Sequence, residues 1–169
     1  QHWLQSGCHG QMAYLERHQE KKANPSLVLP NIKSIISLST SYFQKDPQNN
    51  STRTTSPRGV IARYARFTDY HDILADKLKE LTASIAASVD YESRSLWYVD
   101  TGPILERDMA QRAGIGFIGK HTNLISRKLG NWFFISEILT TIELPSDSPE
   151  KNRCGKCRQC IDACPTEAI

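Results

Sequence analysis

Four of the chain's five cysteines fall within eleven residues, as Cys154-x2-Cys157-x2-Cys160-x3-Cys164-Pro165. No other feature narrows the possibilities as far. Short, even spacing lets one loop wrap a cubane cluster, with backbone amides turned toward the sulfurs to stabilise its negative charge. A zinc site normally takes two separated ligand pairs, often with histidine, and this segment offers no second pair. A disulfide framework would spread its cysteines over the fold, and 169 residues are enough to build a core without such staples. The segment therefore predicts [4Fe–4S] ligation by Cys154, Cys157, Cys160 and Cys164. Thiols used in this way point to a reducing compartment, and the cytoplasm is the expected location. In two-cluster proteins of this spacing the last cysteine ligates the other cluster. If Cys164 does so, both clusters need ligands from outside this sequence. Cys8 stands apart and reads as a small buried hydrophobe.

Hydrophobic residues make up 39% of the chain and charged residues 23%, which suits a packed core and excludes a disordered chain. The best apolar run, Trp132 to Leu139, is broken by Ser136 and Glu137 and falls far short of a membrane span. The start lacks the charged segment, apolar core and cleavage site of a secretory signal. It also lacks Met, and the sequence stops just after the cysteine motif, so a piece cut at both ends is expected. A net charge of +3, from 21 basic and 18 acidic residues, is too mild to indicate nucleic acid by itself. The cysteines thus imply electron transfer into whatever the preceding residues hold.

Along that body, Met12 to Lys21 predicts a short amphipathic helix, and Ser34 to Tyr42 alternates apolar and hydroxyl residues as a strand does. Gln44 to Pro57, with Pro47, Asn49, Asn50 and a Ser/Thr run, reads as a mobile loop. The clearest helix follows Asp69 as N-cap, with Ile73, Leu74, Leu78, Leu81 and Ile85 at helical spacing. Leu96 to Val99 predicts a strand that runs into Asp100-Thr101-Gly102-Pro103. Pro103 suits the first position of a helix over Ile104 to Ala113, ended by Gly114 and Gly116. Phe117 to Ser126 and Asn131 to Thr141 read as two strands joined around Leu129-Gly130 and paired antiparallel. A polar linker, Pro145 to Arg153, leads to the cysteines. Helices and strands mix without strict βαβ alternation, so the expected class is α+β. It divides into a layered α/β body over 1–148 and the start of a [4Fe–4S] domain over 149–169.

Asp100 closes an apolar strand. A carboxylate there can point into a cleft where burial raises its pKa toward general-acid duty; the other reading is a helix cap. Arg53, Arg58, Arg63 and Arg66 form a stretch without acidic residues beside Tyr64, which suits phosphate contacts and stacking, or else a solvated loop. His71 opens the long helix, and Lys120-His121 follows the glycine turn; each can line a site or lie on the surface.

Taken in order, several motifs resemble the epoxyqueuosine reductase family. They are His9-Gly10-x-Met12, Leu29-Pro30 with Ser34-Ile35, and Arg63-Tyr64-Ala65 with Asp69-Tyr70-His71. Then come Val99-Asp100-Thr101 with Leu105 to Arg107, Ala113 to Gly116, Gly119-Lys120-His121, and the cysteine segment through Thr166. The resemblance runs through nearly the whole chain. It implies a cobalamin-binding body related to that of corrinoid reductive dehalogenases, followed by a ferredoxin-like domain with two [4Fe–4S] clusters. The implied reaction removes the epoxide oxygen from epoxyqueuosine in the tRNA anticodon loop. Electrons from a donor protein or small reductant pass through the clusters to cobalt, and an acid protonates the departing oxygen. The implied acid is Asp100, and the implied corrin contacts are Lys22, Ala62, Leu124 and Ile135 beside Asp100. A helical-repeat region for tRNA and the other cysteines of the second cluster are implied outside this sequence. A monomer without membrane association is expected. Two positions depart from the family pattern: Phe67 stands where glycine is usual, and Lys22 stands where arginine is common, which puts bidentate recognition there in question.

Two other functions compete. One is a different corrinoid iron–sulfur reductase, of the reductive dehalogenase kind, which would use a tyrosine as acid and usually carries an export signal. The other is a ferredoxin-type electron carrier fused to an inert body. The run Val99-Asp100-Thr101-Gly102 speaks against the first, and cobalamin binding by the body would exclude the second.

Overall fold

The alternation of Ser34–Ser41 does become a strand, and its partner is Phe133–Thr140, far away in sequence. The computed structural model describes residues 2–44, 59 and 61–169. In chain order its helices are α1 His2–Gln5, α2 Gln19–Ala23, α3 Tyr70–Ala87, α4 Glu106–Arg112 and α5 Gln159–Asp162. Its strands are β1 Ser34–Ser41, β2 Ser95–Tyr98, β3 Phe117–Ile118, β4 Leu124–Ile125 and β5 Phe133–Thr140. β5 lies at the centre of a three-stranded antiparallel sheet of order β1-β5-β2, while β3 and β4 form a separate hairpin. The mixed α and β class expected from the sequence is observed.

Side chains alternate across a strand, so the register sorts residues onto two faces. Ile36 lies opposite Ile138 and Trp97 opposite Ile138 on β2; this face packs on Leu74 and Leu78 of α3 and on Val99. Ile35 lies opposite Leu139 on the other face, which packs on Leu29 and Ile104. Farther along that face Phe133 and Ile135 meet Ala110 of α4 and Leu124 of β4. Ile138 and Leu139 are fully buried, and each such side chain contributes roughly 2–3 kcal/mol.

α3 begins as the sequence predicts: Asp69 accepts the His71 N–H at 2.9 Å. That bond, with the His71 ring, holds the Asp69 carboxyl below its ordinary value. Leu74 and Leu78 form its buried stripe, whereas Ile73 and Leu81 are exposed at its edge.

Several expectations are corrected. The single helix over 12–21 is instead a 3-10 turn, Ala13–Leu15, and the short α2, because His18 takes a left-handed backbone (φ 59°) between them. α4 starts at Glu106, not at Ile104: Pro103 belongs to the preceding turn, and buried Ile104 packs under the sheet. The segments 117–126 and 131–141 do not pair with each other. The first folds on itself as β3–β4, and the second is claimed by β1 and β2, because an apolar strand buried on both faces belongs at a sheet centre. Cys8 is exposed, not buried. Of the expected loop at 44–57, only Gln44 is among the described residues; Arg53 and Arg58 lie outside them. Phe67 takes ordinary extended backbone (φ −123°), so no left-handed turn is needed where the family has glycine.

Candidate active site

Asp100 sits just past β2 in a left-handed backbone conformation (φ 55°), one that aspartate tolerates better than most side chains. Gly102 makes the turn possible. A Cβ there would lie 2.5 Å from Tyr98 Cγ, inside the ring that packs beneath it. The turn sends the Asp100 carboxylate to Tyr70, whose hydroxyl donates to Oδ2. Tyr70 is held in turn by stacking on Phe134 of β5, with ring centroids 3.8 Å apart and planes 7° from parallel. Burial first, then the bond to Asp100, pushes the Tyr70 hydroxyl pKa upward, so it stays a donor.

Asp100 lines an open cleft of about 400 Å³. Leu124, Phe133 and Ile135 form its apolar wall, and Glu106, Arg107 and Asn131 its polar rim. Asp100 is exposed there, so the expected burial of this carboxylate is not met. Another cleft, of about 340 Å³ beside Lys33 and Arg112, gathers no comparable chemistry. Lys33 is paired with Glu143 at 3.2 Å and Arg112 with Asp108 at 3.0 Å.

Sequence reasoning missed two acids, Glu106 in the rim of the cleft and Glu137 behind it. Burial raises the pKa of Glu106, Asp100 adds to the rise, and Lys22 and Arg107 oppose it. Glu137, on the same face of β5 as Ile135, is fully buried and accepts the Ser37 hydroxyl at 2.7 Å. Burial pushes its pKa up to about 8, and Glu106 adds to the rise. One oxygen of each, Glu106 Oε1 and Glu137 Oε1, is buried without a hydrogen-bond partner among the described residues. The sequence signal for Glu137 was a lone acid in the most apolar run of the chain.

The structure thus brings Asp100, Leu124 and Ile135 into one cleft, with Lys22 within electrostatic reach through Glu106. Ala62 does not line it: this exposed residue precedes the 3-10 turn Arg63–Arg66. From that turn Arg63 lies over the Trp132 ring, 4.7 Å from its centroid, and Arg66 donates to the Ile61 carbonyl. His71 is occupied with Asp69, and His121 accepts the Asn123 N–H at 3.1 Å. An apolar patch set in a lining that is polar overall suits a flat cofactor ring that carries polar groups around its edge.

The cysteine loop lies against the hairpin. Lys120 Nζ donates to the carbonyls of Gly155 and Cys157, at 3.0 and 2.7 Å. Asn152 bridges as well, donating to the Ile118 carbonyl at 3.1 Å and accepting the Cys154 N–H at 2.9 Å. All four cysteines of the segment are free thiols. The Thr166 hydroxyl, 3.6 Å from Cys164 Sγ, and then the backbone N–H groups of Thr166 and Ala168 lower the Cys164 thiol to about 7. Amides turned toward a thiolate are what an anionic cluster requires, so the donor set fits. Among the described residues no three His, Cys, Asp or Glu side chains surround a common point, so the fit lies in the donors and not in a preformed cage. No helix among the described residues is long and apolar enough to cross a membrane.

Comparison with known proteins gives matches in both regions. A family model described as "Epoxyqueuosine reductase QueG, DUF1730" matches residues 22–101, and one described as "4Fe-4S binding domain" matches 149–169. Epoxyqueuosine reductase of Vibrio cholerae is 40% identical over 100% of this chain and 46% of its own length. That of Synechocystis is 41% identical over 100% of this chain and 56% of its own length. The chain therefore spans about half the length of the curated relatives it matches. The structure of epoxyqueuosine reductase from Streptococcus thermophilus superposes with a TM-score of 0.79 at 35% identity, over 93% of this chain and 44% of that one. Another, an epoxyqueuosine reductase with an epoxyqueuosine-modified tRNA-Tyr stem loop, gives 0.79 at 36% identity, over 95% and 44%. A third, from Bacillus subtilis with its catalytic aspartate loop swung out of the active site, gives 0.78 at 35% identity, over 88% and 39%.

Proposed function

Because the chain belongs to the epoxyqueuosine reductase family, we propose that the protein reduces epoxyqueuosine to queuosine in the anticodon loop of tRNA. One observation carries this reading: Asp100, aimed by the Tyr70 hydroxyl, faces an apolar wall in a cleft that a hairpin joins to the four-cysteine loop. The reaction takes an epoxide, two electrons and two protons to an alkene and water.

Asp100 is the acid in this scheme. Its proton goes to the epoxide oxygen as the carbon–oxygen bond breaks, and general-acid help of this kind contributes about 10²–10⁴-fold. Tyr70 keeps the carboxyl pointed into the cleft, and its own high pKa prevents it from competing as the donor. Lys22, Ala62, Leu124 and Ile135, with Asp100, are assigned to cobalamin, which when bound supplies low-valent cobalt as the electron source at the cleft. Ala62 is the assignment least supported by geometry, since it lies outside the cleft lining. Cys154, Cys157, Cys160 and Cys164 are assigned to [4Fe–4S] clusters, two in the protein as a whole.

Residues 1–148 form the catalytic body and 149–169 the start of the cluster domain, a division supported by the position of the 4Fe-4S match. The related structure with a modified tRNA stem loop supports tRNA as substrate. The relative whose catalytic aspartate loop is swung out of the active site supports an acid placed on a turn, as Asp100 is. A protein or small-molecule electron donor, a monomeric state and a cytoplasmic location complete the proposal.

The test uses full-length protein reconstituted anaerobically with iron, sulfide and cobalamin, then incubated with epoxyqueuosine-containing tRNA and a reductant. The nucleoside released from that tRNA should lose one oxygen atom, and only when cobalamin is present. Iron bound without cobalamin, and no conversion, would overturn the reading in favour of an electron carrier.

A further inference from the structure

Two of the points at which the cysteine segment is fastened to the body lie on the hairpin β3–β4. Asn152 holds the start of the loop to Ile118, and Lys120 holds its middle through two carbonyls. The same hairpin carries Asn123 and Leu124 into the Asp100 cleft. A single short element therefore touches the cluster ligands on one side and the reaction site on the other.

Lys120 is set apart by its acceptors, two backbone carbonyls of the cysteine loop. Lys33 and Lys79 are neutralised by carboxylates, at 3.2 Å each. Among the described residues no carboxylate pairs with Lys120, and its acceptors are two neutral carbonyls of the cysteine loop. It therefore brings a full positive charge to that loop. Adding an electron to an anionic cluster is easier beside an uncompensated cation, so such a charge raises the reduction potential. The turn that aims the lysine is fixed sterically: a Cβ on Gly119 would come within 2.8 Å of Ile125 Cδ1 and 2.9 Å of the His121 ring.

We propose that Lys120 is a positioning residue that docks the cysteine loop on the hairpin and raises the reduction potential of the cluster held there. The proposal rests on the iron–sulfur reading of the loop and is independent of the substrate.

The experiment compares wild type, K120M and K120R as full-length proteins reconstituted anaerobically with iron and sulfide, without tRNA. Midpoint potentials are read by EPR-monitored redox titration, and iron is counted per chain. K120M should titrate at a more negative potential than wild type, or retain less iron. K120R, which keeps the charge and the donors, should restore both. Wild-type potential and iron content in K120M would overturn the proposal. So would a change in K120M that K120R reproduces in full, since packing rather than charge would then be responsible. Wild-type protein that binds no iron would overturn it together with the cluster reading, whereas failure to reduce epoxyqueuosine would count only against the proposed substrate.

Discussion

The cleft around Asp100 draws on residues from Tyr42 to Ile135, delivered by a strand end, a turn, a helix, a hairpin and a central strand, whereas the four cysteines lie within eleven residues of one another. The two regions consequently depend on different things. The cysteine loop has its donors wherever its sequence is intact, and the fold adds only anchorage through Lys120 and Asn152. The cleft exists only when β5 is in register, because β5 sets both Phe134 under Tyr70 and Ile135 in the wall. A local site is vulnerable to loss of a ligand, and an assembled site to loss of position.

The largest effect should come from Cys157→Ser in the full-length protein. One cubane's worth of iron, about four atoms, should be lost and turnover abolished, while the body keeps its wild-type melting temperature. A large fall in that temperature would show that the two regions are not separable in stability.

Glu137→Gln tests the opposite region. Burial pushes the Glu137 pKa up to about 8, against 4.5 for a free side chain, so the folded protein holds it protonated at neutral pH. Its folded pKa is raised, so the stability it contributes is fully present below the unfolded value and is lost as pH rises through about 8. The amide is a neutral isostere that keeps a partner for Ser37. Near pH 4, below the unfolded value, the variant should match wild type. At pH 9 it should be more stable by roughly 1–3 kcal/mol, read from melting temperatures. Parallel stability curves across this range would contradict the burial argument.

Tyr70→Phe is the mildest change. The ring still stacks on Phe134, but the donor that aims Asp100 is gone. Turnover should fall by about one order of magnitude, in keeping with the low end of the roughly 1.5–3 kcal/mol that a hydrogen bond to a charged group contributes, with cofactor content unchanged. A variant as fast as wild type would mean that the turn alone positions the acid.

This contrast also explains what was legible in the sequence. The cysteine motif could be read without a fold, because cluster chemistry fixes its spacing. β1, α3 and its Asp69 cap were legible because period and capping are local signals. The partner of β5 was not, since an apolar run does not say which strands it joins, and the nearest candidate, 117–126, turned out to close on itself. His18 split the helix over 12–21 by a backbone conformation that no residue pattern there announces. Asp100 was legible as a strand-end carboxylate, but its exposure and its bond to Tyr70 are tertiary facts. Glu106 and Glu137 gave only the weak signal of acids beside apolar neighbours, and their meaning needed α4 packed on β5.

The most direct measurement is single-turnover conversion of epoxyqueuosine in tRNA by full-length Asp100→Asn, beside wild type, with iron and cobalamin content measured on the same samples. The amide preserves the shape and can still accept from Tyr70, but it has no proton to give. Equal cofactor content with a rate lowered about 10²–10⁴-fold is the predicted result. An unchanged rate at equal cofactor content would remove Asp100 from the chemistry and, with it, the role assigned to the cleft.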